Sequence, residues 1–224
     1  MVNKITLNKE ELSYLSNMSD PDRKDGKEQE TRSIPKSLIE KGYLQETEHG
    51  EVMILGTLGL YIDIMKNCVG IFSVLKDCKN QQEGRLEFLF AGDAILAMEY
   101  KDAVLELMLL PYLPFAIGKL ANYIGTFKND TTQLLETVPI MELEPTIKKK
   151  IKKEQITGVW RMVKVDTEKR KFEIMQAWET EEEQLLGIIK EDHVDFLRPD
   201  KENWIHQCTE WMAELHGKAI RGGR

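Results

Sequence analysis

The stretch GVWRMVKVDTEKRKFEIMQAWE, residues 158–179, decides the fold, because it has the pattern of a β-hairpin. Two runs rich in β-branched and aromatic residues, Val159–Val165 and Phe172–Trp178, flank the polar turn Asp166–Lys171. A cross-strand register is favoured when opposite charges meet and large apolar side chains meet. One register satisfies both conditions, and it pairs Val165 with Phe172, Val163 with Ile174, Arg161 with Gln176, Val159 with Trp178, Lys164 with Glu173, Met162 with Met175 and Trp160 with Ala177.

Both faces of this hairpin carry apolar side chains, whereas a ribbon that covers a core needs only one such face. We assign the more continuous apolar set to the core, namely Val159, Val163, Val165, Phe172, Ile174 and Trp178. The second face consists of Trp160, Met162, Met175 and Ala177, with Lys164 and Glu173 at its rim. Because methionine adapts to different shapes and an aromatic centre with a charged rim is typical of binding hot spots, we predict that these six residues bind a partner. The alternative is that a helix of the same chain lies across this face.

Composition limits the classes of function. The chain has 224 residues and a net charge of −7, which argues against sequence-independent binding of nucleic acid. The three cysteines, Cys68, Cys78 and Cys208, form no CxxC pair, so a reduced, cytoplasmic setting is expected. The N-terminal segment has no apolar core typical of a signal peptide. The longest apolar run, residues 107–118, is too short to span a bilayer, so no stable membrane insertion is expected.

The first half of the chain predicts a mixture of helices and strands. Asn8 and Glu11 have the spacing of a capping box at the start of a helix. Residues 19–33 are polar and predict a mobile loop, and a short helix from Pro35 ends at Gly42. Further along, the pattern predicts strands at 69–76, 86–91 and 94–100, with a two-residue turn at 92–93, and then helices at 102–110 and 114–124.

The second half repeats this plan without detectable sequence identity. After the hairpin we expect strands at 184–189 and 193–197 and a helix that begins near Pro199. This last helix carries one apolar face, formed by Trp204, Cys208, Trp211 and Leu215. We therefore predict one domain over residues 1–224, of the α/β (α+β) class, with six to eight mostly antiparallel strands.

No motif for catalysis, cofactor binding or metal binding is present, so we expect no catalytic residues, no cofactor, no metal and no enzymatic activity. His193 and Asp195 share one strand face, but two ligands do not make a metal site. The lysine cluster at 147–153 is interpreted as a solvated helix face. The segment SLIEKGYLQETEHGEVMIL, residues 37–55, resembles the end of a winged helix, and a DNA-binding regulator is therefore the alternative function.

Six segments follow one another in an order that is informative as a whole. They are ITLNKEELSYL (5–15), SIPKSLIEKGYL (33–44), FLFAGDAILAMEY (88–100), LMLLPYLP (107–114), TGVWRMVKV (157–165) and HVDFLRPDKENWIHQCTEWMAEL (193–215). In this order they resemble the EspG/EsaE-type cytosolic chaperones of type VII secretion systems. The acidic composition is similar to that of the EsaE-type proteins of the Gram-positive branch. The loop 19–33 and the lysine cluster have no counterpart in this family.

The resemblance implies a central antiparallel sheet with pseudo-two-fold character, flanked by helical bundles. It also implies a non-catalytic chaperone that binds a helical type VII secretion substrate, such as a toxin or a WXG-like protein, in the cytoplasm. Such a chaperone keeps its client soluble and helps to present it to the secretion ATPase, which is the second partner that the resemblance implies.

Overall fold

The computed structural model describes residues 4–18, 34–49, 51–78, 81–101, 103–124, 132–152, 155–182 and 184–222. The loop predicted at 19–33 lies outside these ranges. The strands that the structure describes are β1 (Lys4–Asn8), β2 (Leu44–Glu46), β3 (Val52–Ile54), β4 (Gly70–Cys78), β5 (Gln81–Ala91), β6 (Ala94–Lys101), β7 (Val104–Leu110), β8 (Gln133–Pro139), β9 (Gly158–Asp166), β10 (Lys171–Glu179), β11 (Gln184–Ile189) and β12 (His193–Arg198). The described helices are α1 (Lys9–Met18), α2 (Lys36–Glu40), α3 (Gly56–Asn67), α4 (Leu113–Ile124), α5 (Leu143–Lys150) and α6 (Lys201–Gly222), and a 3-10 turn spans Ile140–Glu142.

Ten of these strands form one antiparallel sheet in the order β1-β7-β6-β5-β4-β9-β10-β11-β12-β8, and β2 and β3 form a separate hairpin. The large sheet has pseudo-two-fold character about the β4–β9 pair. Each half contains an edge strand, a four-strand meander and a closing helix: β1, β4–β7 and α4 in the first half, and β8, β9–β12 and α6 in the second. The expected α+β class and the pseudo-two-fold sheet are confirmed. The sheet is larger than the predicted six to eight strands.

The hairpin that opens the second half has the predicted register over its whole length. Val165 pairs with Phe172, Met162 with Met175 and Trp160 with Ala177. Arg170, in the turn, has a backbone φ of 53°. This left-handed conformation is uncommon for residues other than glycine. The hairpin also pairs with the first half, because β9 lies beside β4. It is therefore the centre of the sheet.

Helices cover the sheet on both sides. On one side, α4 and α6 pack against each other and against the central strands, and this cluster contains Phe72, Phe88, Trp160 and Trp211. On the other side, α1, α2 and α3 cover the first half around Leu38 and Tyr61, and α5 lies beside the second half around Trp178 and Phe196. On this second side, the clusters around Leu38 and around Trp178 leave the middle of the sheet more accessible.

The N-terminal helix begins at the predicted capping box. The backbone N–H of Asn8 donates to Glu11 Oε2 at 2.8 Å, and the N–H of Glu11 donates to Asn8 Oδ1 at 2.9 Å. Glu11 is fully buried, and Lys41 Nζ lies 2.8 Å from its carboxylate. Burial raises the pKa of Glu11, but hydrogen bonds from Lys41, Ser37 and the Asn8 N–H outweigh burial, so the pKa lies below its ordinary value. The charged carboxylate of Glu11 therefore connects α1 to Lys41, directly after α2, through an ion pair.

The last helix has the predicted buried face. Trp204, Cys208, Trp211 and Leu215 are all buried against the sheet, and the Trp211 ring meets Phe72 edge-on at a centroid distance of 6.4 Å. Burial raises the pKa of the Cys208 thiol, which fits its interpretation as a small apolar side chain. Gly70 allows this close packing, because a Cβ at that position would lie 2.6 Å from Leu215 Cδ2.

The helix predicted at 102–110 is wrong, because residues Val104–Leu110 form strand β7 between β1 and β6. Short apolar runs fit a helix or a strand equally well, and here long-range pairing decides. The strands β1 and β8 were not predicted. In the segment that resembles a winged helix, α2 and the β2–β3 hairpin are present, but Leu38 and Leu44 are buried in the core of the first half. Within the described residues, no helix has the length and apolar character that crossing a bilayer requires.

Candidate functional site: the central sheet face

The face predicted to bind a partner lies beneath helix α6. Trp160, Met162, Met175 and Ala177 are buried in the same cluster as Trp211 and Leu215 of that helix. The Trp160 indole is enclosed by the edge of Tyr123, at a centroid distance of 6.3 Å, and by Lys76 Nζ, 4.3 Å from its ring centre. The structure thus has the arrangement of the alternative hypothesis, in which a helix of the same chain lies across this face. Contact of these residues with a client stays a prediction.

One rim residue of that face, Lys164, connects the hairpin to α6. Lys164 is buried and forms ion pairs with Glu173 and with Glu214 of α6, the latter at 2.7 Å. Its Nζ also lies 5.5 Å from the centre of the Trp211 ring. Burial lowers the pKa of Lys164, but the two carboxylates outweigh burial and raise the pKa above its ordinary value. Glu173 remains exposed. Because Lys164 stays charged, it binds the helix to the hairpin.

The opposite face of the hairpin is the more accessible one, so its assignment to the core is wrong. Only Trp178 of that set is buried; Val159, Val163, Val165 and Ile174 are half-buried, and Phe172 is 69% exposed. The physical reason is that burial depends on which helices cross the sheet. Helix α6 packs on the side of Met162, and strand alternation then directs Val163 and Phe172 to the other side. The face predicted to lie in the core is thus the more accessible one, and the face of Trp160 and Met162 is the buried one.

We call this accessible surface the central sheet face. It consists of apolar side chains from four adjacent strands: Ile71, Leu75, Val163, Val165, Phe172, Ile174 and Ile189. The side chains lie in rows across the sheet, since Ile71 pairs with Val165 and Val165 pairs with Phe172. A second row runs from Ser73 through Val163 and Ile174 to Ile189. The surface is therefore continuous.

The central sheet face lies between two helical layers. Ile71, at one margin, packs against the cluster under α1–α3, and Ile189, at the other, packs against the cluster beside α5. Among the residues that the structure describes, Val163, Val165 and Phe172 belong to neither cluster. We call the apolar strip between the two clusters the trough.

Charged groups border one side of the trough. Leu75 has Arg85 and Arg161 as its two cross-strand neighbours. Arg85 pairs with Glu87 at 2.7 Å, and the same Glu87 oxygen accepts the Ser73 hydroxyl at 2.8 Å. Burial lowers the pKa of Arg85, but Glu87 outweighs burial and raises it, so the guanidinium stays charged. The arrangement can bind an apolar stripe and a nearby carboxylate.

Within the described ranges, no group of three histidine, cysteine, aspartate or glutamate side chains has the geometry of a metal site. His193 contacts Asp192 through Nδ1 at 2.5 Å, and its Nε2 lies 3.9 Å from Asp195. Asp195 is itself held by Lys190 at 2.7 Å and by the Thr137 hydroxyl at 2.6 Å. These contacts form a surface network at the end of β12.

Comparison with known proteins shows a likeness in fold. No protein-family model and no curated protein matches the sequence. Among solved structures, the chain is similar to the Mycobacterium tuberculosis type VII secretion system chaperone EspG5 in complex with the PE25–PPE41 dimer, with a TM-score of 0.63, 8% sequence identity and coverage of 94% of this chain and 96% of that chain. The resemblance inferred from the order of motifs is thus confirmed at the level of the fold: this chain has an EspG-type fold over nearly its whole length.

Proposed function

We propose that this protein is a non-catalytic chaperone of a type VII secretion system. In this proposal it binds a helical secretion substrate in the cytoplasm, keeps that substrate soluble and helps to deliver it to the secretion machinery. The observation that carries the proposal is the likeness in fold to EspG5, a chaperone whose structure was determined in complex with the PE25–PPE41 dimer. The proposal further assigns the chain to the Gram-positive, EsaE-type branch, because of the N-terminal half of the sequence and the acidic composition, with a net charge of −7.

The central sheet face is the surface that we assign to the client. An amphipathic helix can lie in the trough with its apolar side chains against Val163, Phe172 and Ile174. Burying one large apolar side chain that is fully exposed contributes about 1.5–3 kcal/mol. Association itself costs about 4–15 kcal/mol, so a stable complex requires the client helix to bury several apolar side chains along the trough. A helical substrate with an apolar stripe tends to self-associate in water, and covering the stripe keeps it soluble.

The nature of the client and of a second partner rests on the resemblance in motif order. We propose a toxin or a WXG-like helical protein as client and the secretion ATPase as the partner that receives it. The exposed Arg161 at the margin of the trough favours a client with a carboxylate beside its apolar stripe.

The proposal is tested by co-expression with each protein that is encoded beside this gene and whose sequence predicts a helical hairpin. The test variant is Phe172→Glu, which places a charge in the trough without disturbing the core, because Phe172 is 69% exposed. The matched control is Met141→Glu, at an exposed apolar side chain in the 3-10 turn after β8. We expect the wild type and the control to raise the soluble fraction of the client and to co-purify with it, and Phe172→Glu to do neither.

Two outcomes contradict the proposal. If the client is equally soluble with and without this protein, the chaperone function is wrong. If the Phe172→Glu variant still co-purifies with the client, the assignment of the client to the trough is wrong.

A further inference from the structure

A second accessible surface lies on the opposite side of the sheet. A groove of about 760 Å³ runs between helix α4 and the strands β6 and β7. Its apolar lining comes from Met108 and Leu110 of β7 and from Tyr112, Phe115 and Gly118 at and within α4. Met108 and Leu110 belong to the cluster beneath α4 and α6, which places the groove on the side away from the central sheet face. The groove is therefore a separate surface from the proposed client site.

Two aromatic rings stand at the entrance of the groove. Tyr112 is 53% exposed and Phe115 is 47% exposed, and their rings meet edge-on with centroids 4.7 Å apart. Exposed aromatic side chains that hold each other in a fixed geometry lose little conformational entropy when a partner binds. They are typical of the residues that dominate the binding energy of interfaces.

Beside the apolar groove, a chain of ion pairs crosses the sheet. Lys119 contacts Glu99 at 2.5 Å, Lys101 contacts Glu99 at 2.9 Å and Glu106 at 3.3 Å, and Lys4 contacts Glu106 at 2.6 Å. The carboxylates lie deep, while the Lys101 side chain is 54% exposed. The pairs with lysine keep the pKa values of Glu99 and Glu106 below their ordinary range. The exposed ends of this row of ion pairs are lysine side chains, so the surface beside the groove is positively charged, although the protein as a whole is acidic.

Gly118 keeps the groove open. It lies inside α4, and a Cβ at this position would meet no described atom within 4 Å. Glycine within a helix is less favourable than alanine, and neither close packing nor a left-handed φ requires it here. Its effect in this structure is the space that it leaves in the wall.

We propose that this groove binds an amphipathic helix of a partner protein, with apolar side chains in the groove and an acidic polar face toward Lys101 and Lys4. Anchors at i, i+3, i+4 and i+7 fit a groove that is apolar along one wall and charged along the other. The acidic character follows from charge complementarity, because exposed lysines attract carboxylates. A second copy of this chain fits less well, since a symmetric dimer would bring the same lysines against each other. The proposal is independent of the client function.

The probe is a displayed library of 16-residue helical peptides, selected on the wild-type protein. We expect the enriched peptides to carry apolar residues at helical spacing and acidic residues elsewhere. The Gly118→Leu variant fills the groove, so we expect it to weaken binding of a selected peptide at least about tenfold in fluorescence anisotropy. The same variant should unfold at an equal or higher urea concentration, because leucine is a better helix former than glycine. Loss of binding therefore cannot be ascribed to unfolding.

A second variant tests the charge. Lys101→Gln leaves Glu99 with Lys119 and Glu106 with Lys4, and we expect about a three- to tenfold loss of affinity and a weaker dependence on salt. Met141→Glu, at an exposed side chain outside both the groove and the trough, serves as the control and should leave peptide binding unchanged. The proposal is overturned if selection yields basic peptides or no peptides, or if Gly118→Leu binds the selected peptides normally. It is also overturned if light scattering shows a wild-type dimer that Gly118→Leu converts to a monomer, because the groove then binds a second copy.

Discussion

Truncation of Met162 to alanine tests the inverted assignment of the two hairpin faces. Met162 is fully buried between its cross-strand partners Val74 and Met175 and beneath α6. Replacing a buried methionine by alanine removes its apolar contacts and leaves a cavity, which costs about 2–5 kcal/mol. The matched variant on the other face is Phe172→Ala, where a side chain that is 69% exposed contributes little, and the expected change lies within about 0.5 kcal/mol.

The measurement is equilibrium unfolding in urea, followed by tryptophan fluorescence. With a slope of about 1–3 kcal/mol per molar urea, a loss of about 3 kcal/mol lowers the midpoint by about 1–3 M. The slope should be the same for both variants and the wild type. The reasoning is refuted if Phe172→Ala lowers stability as much as Met162→Ala. It is equally refuted if Met162→Ala unfolds at the wild-type midpoint, because α6 would then not cover this face in solution.

Three further predictions use the same unfolding assay. Trp211→Ala should lower stability by about 3–5 kcal/mol, because it removes a buried aromatic ring from the α6–sheet contact; wild-type stability would contradict this. Gly70→Ala should be destabilising by about 1–3 kcal/mol because its Cβ overlaps Leu215, whereas Gly118→Ala, with open space around its Cβ, should be stabilising by about 0.5–1 kcal/mol; equal effects of the two variants would show that packing at Gly70 is not tight. The pKa of Glu11 is lower in the folded protein than in the unfolded chain. Its carboxylate therefore contributes to the free energy of unfolding at pH values above the unfolded pKa, and this contribution is lost as the pH falls through the folded pKa. Glu11→Gln should therefore be less stable than the wild type at pH 7, with the difference closing below about pH 4; a constant difference at all pH values would refute the ion pair with Lys41 as its cause.

The sequence allowed the hairpin register to be predicted, because local pairing of charges and large side chains has one solution between Val159 and Trp178. It did not allow the buried face to be predicted, because both faces are apolar. Which of them is covered depends on where α6 lies, and α6 begins more than twenty residues after the hairpin ends. Contacts at that separation leave no signal in the periodicity of either element.

Strand β7 illustrates the same limit in another form. The run VLELMLL fits a helix or a strand equally well, and it becomes a strand because β1 and β6 supply backbone partners on both sides. The groove beside α4 was also missed. The signals that could have revealed it are Gly118 within an otherwise regular helix and two aromatic residues, Tyr112 and Phe115, flanking a proline.

The pairing of β4 with β9 has a consequence for synthesis on the ribosome. The partners of Gly70 through Cys78 lie about 80 to 100 residues later in the chain. At a translation rate of about 5–20 residues per second, β4 waits roughly 4–20 s after its own synthesis for β9 to emerge. During this time a strand that becomes central carries an open hydrogen-bonding edge, and Phe72 and Val74 lack the hairpin and α6 that later cover them. In the nascent first half, β4 is therefore the strand most exposed to aggregation, although it is central in the finished protein. Binding of a chaperone during translation would have its largest effect at this strand.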